Sequence, residues 1–345
     1  MESSSQETAV DQRVSRRQML GWSSAALAAG GLSAAGVTMP ASAQSPVPDH
    51  AEGDFAGLVD IGGRSLYLTC AGSGGPTVVL VTGYRDTSDI WSIDQINLSA
   101  PRTMVMPAVA EFTRVCAYDR PGTATSLGDE DLIGRSDAIP QPRTAPEAAD
   151  ELHALVHAAG IETPFVLAAH SLGGAIARLY ASAYPEDVSG MVQIDAYNEF
   201  IEALMTPEQW ASLVAFNAGM GTDDVVPIPG YGDLETIPYG GMNQELRDAA
   251  PLGALPLAVL AHGVPFEIPT VPEGFTSAAE MEDFLTAANE QLATLATDAR
   301  YWVGETSGHY VHQDQPELVI EAIRQVVTGV REPDTWTSLE SCCED

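Results

Sequence analysis

Positive charge is scarce in this sequence. Of its 345 residues only 15 are lysine or arginine, all of them arginine, against 48 aspartates and glutamates, and the formal net charge is -33. A field of that sign repels nucleic acid and anionic lipid surfaces, so we exclude both as partners. The absence of lysine leaves arginine as the only strong cation.

Signatures of cofactor and metal binding are also missing. The sequence has no glycine-rich loop of the kind that binds phosphate. We interpret its seven histidines as lacking the paired spacing of a zinc-binding helix. The short run His312-Gln313-Asp314 is too weak to indicate a site. The sequence contains no internal repeats. We therefore predict neither a cofactor nor a metal ion.

Residues 1–43 have the pattern of a targeting segment. Arg16 and Arg17 precede an apolar stretch rich in alanine and glycine, and Ala41-Ser42-Ala43 is a small-residue cleavage site. The segment resembles a twin-arginine signal peptide, which implies export to the periplasm, the cell surface or the medium. A retained membrane anchor is the alternative, and glycines and serines within the apolar run disfavour it. Cleavage leaves about 300 residues, enough for one α/β domain.

Apolar strands alternate with helical patterns from residue 55 onward. Strands at 55–61 and 64–70 predict a hairpin, because Gly62-Gly63 suits a tight turn. This alternation predicts a mostly parallel sheet covered by helices on both faces. It lapses between residues 196 and 256, where Thr206-Pro207-Glu208 nevertheless opens a helix. The other predicted elements are strands at 77–81, 115–118, 164–170, 191–194, 257–260 and 301–303, and helices at 146–159, 172–184, 277–299 and 316–327.

Ser171 ends one of these apolar strands. A strand that turns into a helix through one residue forces that residue into a strained, exposed conformation, which makes its hydroxyl reachable. Ala169, Gly173 and Gly174 supply the small neighbours that such a turn needs, since the strand and helix backbones nearly touch. A glycine-rich connection in some other α/β protein is the alternative, and Ala169 departs from the usual glycine. We prefer a nucleophile elbow.

The run His170-Ser171-Leu172-Gly173-Gly174 resembles the elbow of the α/β-hydrolase superfamily, within its serine-hydrolase branch. The resemblance extends to Asp119-Arg120-Pro121-Gly122 and Ser307-Gly308-His309, and it covers roughly residues 55–330. It implies the α/β-hydrolase fold, with a mostly parallel eight-stranded sheet flanked by helices and a small helical or irregular lid after the sixth strand. The expected organisation is a flexible segment at 44–54, core at 55–195 and 257–330, lid at 196–256 and an acidic tail at 331–345.

A serine nucleophile needs a base and an acid that orients the base, in the chain order Ser, Asp or Glu, His. His309 is the predicted base because it follows the last apolar strand, and His312 is the alternative. Asp195, directly after the strand at 191–194, is the predicted acid, with Glu267 as runner-up. A loop-capping aspartate is the other interpretation of Asp195.

The oxyanion of an acyl-transfer reaction needs backbone donors. We expect them from Leu172, at the start of the elbow helix, and from Tyr84 in Thr82-Gly83-Tyr84, where related proteins often have His-Gly-X. Asp119 and Arg120 are predicted to anchor a loop by a salt bridge rather than to contact substrate.

Four cysteines occur, which in an exported protein can form disulfides. In the superfamily Cys70 and Cys116 would lie on neighbouring strands, so they are either bridged or two buried thiols. Cys342 and Cys343 receive no role.

These observations predict an exported serine hydrolase that cleaves small-molecule carboxylic esters through an acyl-serine intermediate. A serine rather than an aspartate at the elbow argues against dehalogenase or epoxide-hydrolase chemistry. Amide, lactone or thioester cleavage and acyl transfer on the same triad remain open, as does a binding protein that kept the fold. Nothing in the sequence indicates an oligomeric state.

Overall fold

A computed structural model describes residues 53–127, 130–220, 233–268 and 270–337, all within one compact unit, Val47–Asp345. The predicted signal peptide, most of the 44–54 segment, Cys342 and Cys343 lie outside the described residues. Among the described residues, no helix combines the length and apolarity needed to cross a membrane.

Eight strands form one large sheet, in the order β1-β2-β4-β3-β7-β8-β9-β10. The pairs β1–β2 and β2–β4 are antiparallel and all other pairs are parallel. The strands are β1 Phe55–Asp60, β2 Ser65–Ala71, β3 Val78–Val81, β4 Val115–Tyr118, β7 Phe165–His170, β8 Val188–Ile194, β9 Leu257–His262 and β10 Arg300–Gly304, and a separate hairpin pairs β5 Ala124–Leu127 with β6 Glu130–Ile133. The predicted α/β-hydrolase sheet is thereby confirmed, whereas the small hairpin had no counterpart in the predicted strands.

Helices cover both faces of this sheet. The α-helices are α1 Val105–Val109, α2 Ala145–Ala158, α3 Leu172–Ala183, α4 Phe200–Leu204, α5 Pro207–Met220, α6 Tyr239–Asp248, α7 Ala278–Leu292, α8 Val311–Asp314 and α9 Pro316–Arg331. Along β3, Val79 and Val81 pack with α2, α3 and α6, whereas Val78 and Leu80 pack with α1 and α9. Strands buried on both faces explain the continuous apolar runs in the sequence.

Local signals fix several element boundaries. Gly62 and Gly63, with φ of +97° and +96°, make the turn between β1 and β2. The Thr206 hydroxyl accepts from the Gln209 N–H at 3.2 Å and so caps α5. Helix α7 ends at Leu292 instead of continuing towards residue 299: a 3-10 turn at Ala293–Leu295 follows it, and the Leu295 carbonyl accepts from the Leu252 N–H at 3.1 Å.

Packed structure reaches into the segment predicted as an acidic tail, 331–345. Helix α9 continues to Arg331, and Trp336 is buried against Gly329. The Trp336 carbonyl accepts from Arg300 Nη2 at 2.6 Å. The packed structure therefore continues at least to Trp336. Burial of its large indole ring stabilises the fold.

Cys70 and Cys116 form a disulfide. They lie opposite each other on β2 and β4, which pair as antiparallel neighbours. This resolves the choice between a bridge and two buried thiols, and no cysteine within the described ranges is free.

Candidate active site

Ser171 occupies a strained turn between β7 and α3. Its φ of 51° and ψ of -123° lie in a region that non-glycine residues rarely adopt. A Cβ on Gly173 would lie 2.5 Å from the Thr82 carbonyl oxygen, and one on Gly174 would lie 2.3 Å from the Ala196 Cβ. The two glycines are therefore required by close packing on either side of the turn. The methyl group of Ala169, which stands at the position of the usual glycine, is packed in the core on the α2/α3 face.

The structure brings Ser171, His309 and Asp195 together. His309 Nε2 lies 3.0 Å from Ser171 Oγ, and His309 Nδ1 lies 2.5 Å from Asp195 Oδ2. They meet at one edge because Asp195 directly follows β8, His309 lies in the loop after β10, and Ser171 follows β7. A carboxylate only accepts, so Nδ1 carries the proton and Nε2 is left to accept from the serine hydroxyl.

The two alternative residues occupy different environments. His312 is buried against Trp91, with ring centroids 4.6 Å apart, and its ring nitrogens have no hydrogen-bond partner among the described residues. Burial, together with the nearby His309, lowers the pKa of His312 to about 3, so it is neutral at physiological pH. Glu267 lines the cavity beside Ser171, while the carboxylate bonded to His309 is that of Asp195.

The loop expected to supply an oxyanion donor is anchored by a buried ion pair. Arg120 donates to the carbonyls of Thr82, at 2.9 Å, and Gly83, at 2.5 Å. Its Nε lies 2.6 Å from Glu235 Oε1, and both side chains are fully buried. Tyr84 lines the cavity next to Ser171, and Leu172 is the first residue of α3. The N–H groups at a helix start have no intrahelical acceptor, so the Leu172 N–H is available for an anion.

Asp119 also anchors a loop, as predicted from the sequence. Its Oδ1 accepts from the Ser88 N–H at 2.8 Å, and its Oδ2 lies 2.8 Å from Arg135 Nε. Asp119 and Arg120 therefore anchor different parts of the structure, because their side chains have different partners. Glu235, the partner of Arg120, was missed because it lies 115 residues away in the sequence.

A cavity of about 800 Å³ contains the site. Its lining includes Ser171, His309 and Asp195 together with many apolar side chains. The apolar lining comes from α4, α5 and α7 and the segment after β9, and includes Ile201, Trp210, Leu213, Phe266, Met281 and Leu285. Part of this wall belongs to the predicted lid at 196–256, of which residues 221–232 lie outside the described ranges, and part to α7, which the lid prediction did not include.

Comparison with known proteins agrees with this architecture. The family model described as alpha/beta hydrolase family matches residues 78–322. The chain belongs to the alpha/beta hydrolase family. It is therefore a hydrolase with the fold that the sequence predicted.

Individual relatives of this hydrolase are distant. It is 25% identical to the uncharacterized protein YqjL of Bacillus subtilis over 257 residues, which cover 74% of this chain and 85% of that protein. It is 23% identical to an AB hydrolase superfamily protein of Gibberella zeae, over 74% of this chain and 87% of that protein. Among solved structures, carboxylesterase CesB of Bacillus subtilis superposes with a TM-score of 0.51 at 17% identity, over 80% of this chain and 92% of the other. At that identity the likeness shows the fold alone.

A second histidine contacts the same carboxylate as His309. His262 Nδ1 lies 2.7 Å from Asp195 Oδ1, and its Nε2 lies 2.6 Å from Glu282 Oε1 on α7. Asn289, also on α7, donates to Asp195 Oδ1 at 3.1 Å. His262 was not among the predicted site residues, although its position at the end of β9, the strand beside β8, was a usable signal.

The hydrogen bonds that link Asp195 to His262 and His309 set the protonation states of Asp195 and His262. Burial alone raises the pKa of Asp195, but hydrogen bonds from His262 and His309 outweigh it and hold the pKa well below its usual range. Burial lowers the pKa of His262, and the hydrogen bonds to Asp195 and Glu282 raise it overall to about 10. At neutral pH the hydrolase therefore holds Asp195 as a carboxylate and His262 as an imidazolium.

His170 and Asp86 are two further buried residues close to His309. His170 Nε2 donates to the His309 carbonyl at 2.9 Å, and this bond steadies the loop that carries the base. Asp86 lines the cavity, and burial raises its pKa to about 7 despite the opposing effect of Arg120. Both residues were missed as contributors, since neither forms part of a triad motif.

One pair of histidines away from this site does have the spacing of a zinc-binding helix, so the prediction that the histidines lack it is wrong for that pair. His153 and His157 are four residues apart on α2, the spacing of a zinc-binding helix. With Asp187 they place three donor atoms within 4.8 Å of one another.

Proposed function

We propose that this hydrolase cleaves carboxylic esters through an acyl-serine intermediate. Ser171 Oγ attacks the ester carbonyl while His309 Nε2 takes its proton, and the backbone N–H groups of Tyr84 and Leu172 hold the resulting oxyanion. Collapse expels the alcohol, which receives the proton from His309. Water then attacks the acyl-serine with His309 as base and releases the acid.

One observation carries this proposal. The 3.0 Å separation of Ser171 Oγ and His309 Nε2, continued by the 2.5 Å contact of His309 Nδ1 with Asp195, is a proton-transfer path that opens on a large cavity. Asp195 is ionised at neutral pH, so its charge stabilises the imidazolium that forms when the serine loses its proton. The mostly apolar lining supports small-molecule esters with an apolar acyl or alcohol group.

Hydrolysis of p-nitrophenyl esters of increasing acyl length, beside a matched p-nitroanilide, tests the proposal. We expect ester turnover that falls by about 10⁴-fold or more in Ser171→Ala, and an unchanged rate in the control Ser92→Ala, an exposed serine. Asp195→Asn should retain residual activity, because the oxyanion donors remain. Preferred cleavage of anilides, lactones or thioesters would replace the ester assignment by another acyl-transfer reaction.

A fluorophosphonate probe separates the enzyme from a binding protein on the same fold. Labelling of the wild type, and not of Ser171→Ala, supports an activated serine. A folded wild-type protein that resists labelling would favour the binding protein.

We also propose that the protein is exported through the segment 1–43. The paired Arg16 and Arg17 and the small residues at 41–43 support this proposal. The expected mature protein begins at Gln44, which N-terminal sequencing of exported protein tests. Export that persists after Arg16→Lys and Arg17→Lys would contradict a twin-arginine route.

A further inference from the structure

Two histidines and one aspartate converge at the end of the fold opposite Ser171. His153 and His157 lie on the same side of α2, and Asp187 directly precedes β8. His153 Nδ1 is 3.2 Å from Asp187 Oδ2, and His157 Nε2 is 3.5 Å from the same oxygen. Two imidazoles thus approach one carboxylate oxygen.

These separations suit a tetrahedral ion. Zinc binds histidine nitrogen at about 2.0–2.1 Å and carboxylate oxygen at about 2.0–2.2 Å, so two donors on one tetrahedral ion lie roughly 3.3 Å apart. The two distances measured to Asp187 Oδ2 fall close to that value. All three donor atoms lie within 4.8 Å of one another, so an ion between them would draw the donors together.

Neighbouring side chains hold the donors in place. The Tyr180 hydroxyl donates to Asp187 Oδ2 at 2.8 Å, and the Tyr184 ring stacks on His153 with centroids 3.6 Å apart and planes 3° from parallel. Such supporting contacts fix the orientation of metal ligands. Asp187 is buried, whereas the His157 side chain is 51% exposed, so an ion can enter from solvent.

The charge of the protein favours a cation here. A divalent ion binds two neutral imidazoles and a carboxylate at once. The net charge of -33 also attracts cations to the surface.

We propose that His153, His157 and Asp187 form a binding site for one divalent transition-metal ion, with Zn²⁺ as the best match to two nitrogen donors and one oxygen donor. The ion would join α2 to the segment that precedes β8, so its role is structural. Helix α3 has Ser171 at its start and is about 18 Å long, and Tyr184 and Asp187 follow its other end. Zinc binding is therefore measurable independently of any reaction at Ser171.

Zinc titration of the metal-free protein by calorimetry tests the site. All proteins carry Cys342→Ser and Cys343→Ser so that thiols do not compete for the ion. We expect one Zn²⁺ per chain in the parent protein and at least about 100-fold weaker binding in His157→Asn, whose exposed side chain can be replaced without disturbing the core. Glu186→Gln is the matched control, because it removes an exposed charge beside Asp187 without removing a donor.

Melting temperatures supply a second readout. Zn²⁺ should raise the melting temperature of the parent protein and of Glu186→Gln, and leave that of His157→Asn unchanged. Equal melting temperatures of the metal-free proteins would verify that the His157 variant folds. Equal zinc affinity of parent and His157→Asn, or a response to Ca²⁺ as large as that to Zn²⁺, would overturn the proposal.

Discussion

Replacing His262 by asparagine removes a positive charge from the network around Asp195. An asparagine amide can still donate to Asp195 Oδ1, where His262 Nδ1 now lies at 2.7 Å, but it does not titrate. In the native protein burial lowers the pKa of His262, and hydrogen bonds to Asp195 and Glu282 raise it overall from 6.5 to about 10. The variant therefore isolates the effect of that proton on stability.

The sign and size of the stability that the His262 proton contributes follow from the difference between its pKa in the folded and unfolded states. Because the folded protein holds the His262 proton more tightly, the stabilisation is fully present below pH 6.5 and is lost as the pH rises through about 10. At about 1.4 kcal/mol for each pKa unit, the linked stability amounts to at most about 5 kcal/mol, and we expect at least about 2 kcal/mol for such a buried ion pair. Solvent screening is slight, since the His262 side chain is only 3% exposed.

Denaturant unfolding from about pH 7 to about pH 10 measures this stability. The free energy of unfolding of the wild type should fall more steeply across that range than that of His262→Asn, in which only the groups shared by both proteins titrate. No lysine is present, so no ammonium side chain titrates in the range, and all other groups are common to both proteins. Glu282→Gln, which leaves the contact with Asp195, should give an intermediate slope. Parallel curves for wild type and His262→Asn would refute the reasoning.

Three further predictions concern the elements that support the site. Glu235→Gln leaves a fully buried guanidinium without its counter-ion, so we expect a loss of about 3–5 kcal/mol in denaturant unfolding; a loss below about 1 kcal/mol would argue against the ion pair. Joint replacement of Cys70 and Cys116 by alanine opens a cross-link between residues 46 apart, and loop entropy predicts a cost of about 4 kcal/mol, which an unchanged melting temperature would contradict. Gly173→Ala places a methyl group 2.5 Å from the Thr82 carbonyl oxygen and should cost about 1–3 kcal/mol and most of the proposed ester hydrolysis. The control Gly241→Ala, which meets open space on α6, should not lower the stability and should leave the activity unchanged.

The strands and the elbow were predictable because their signals are local. Continuous apolar runs mark strands buried on both faces, and Ser171 with Gly173 and Gly174 marks a turn in which two backbones nearly touch. The chain order of Ser171, Asp195 and His309 likewise needs only the sequence, given the superfamily resemblance. The end of α7 and the packing of Trp336 were not predictable in this way, because they involve contacts between distant residues, from Leu252 to Leu295 and from Arg300 to Trp336.

By itself the sequence determined the α/β-hydrolase architecture, the acidic surface and the positions of the candidate nucleophile and base. Only the tertiary structure decided that Asp195 lies between two imidazoles, and that Glu235 holds Arg120 against the oxyanion loop. His262 and Asn289 are 67 and 94 residues from Asp195, and they reach it only because β8, β9 and α7 pack side by side. Contacts of this kind depend on which elements become neighbours in space, and no pattern within a single segment encodes that.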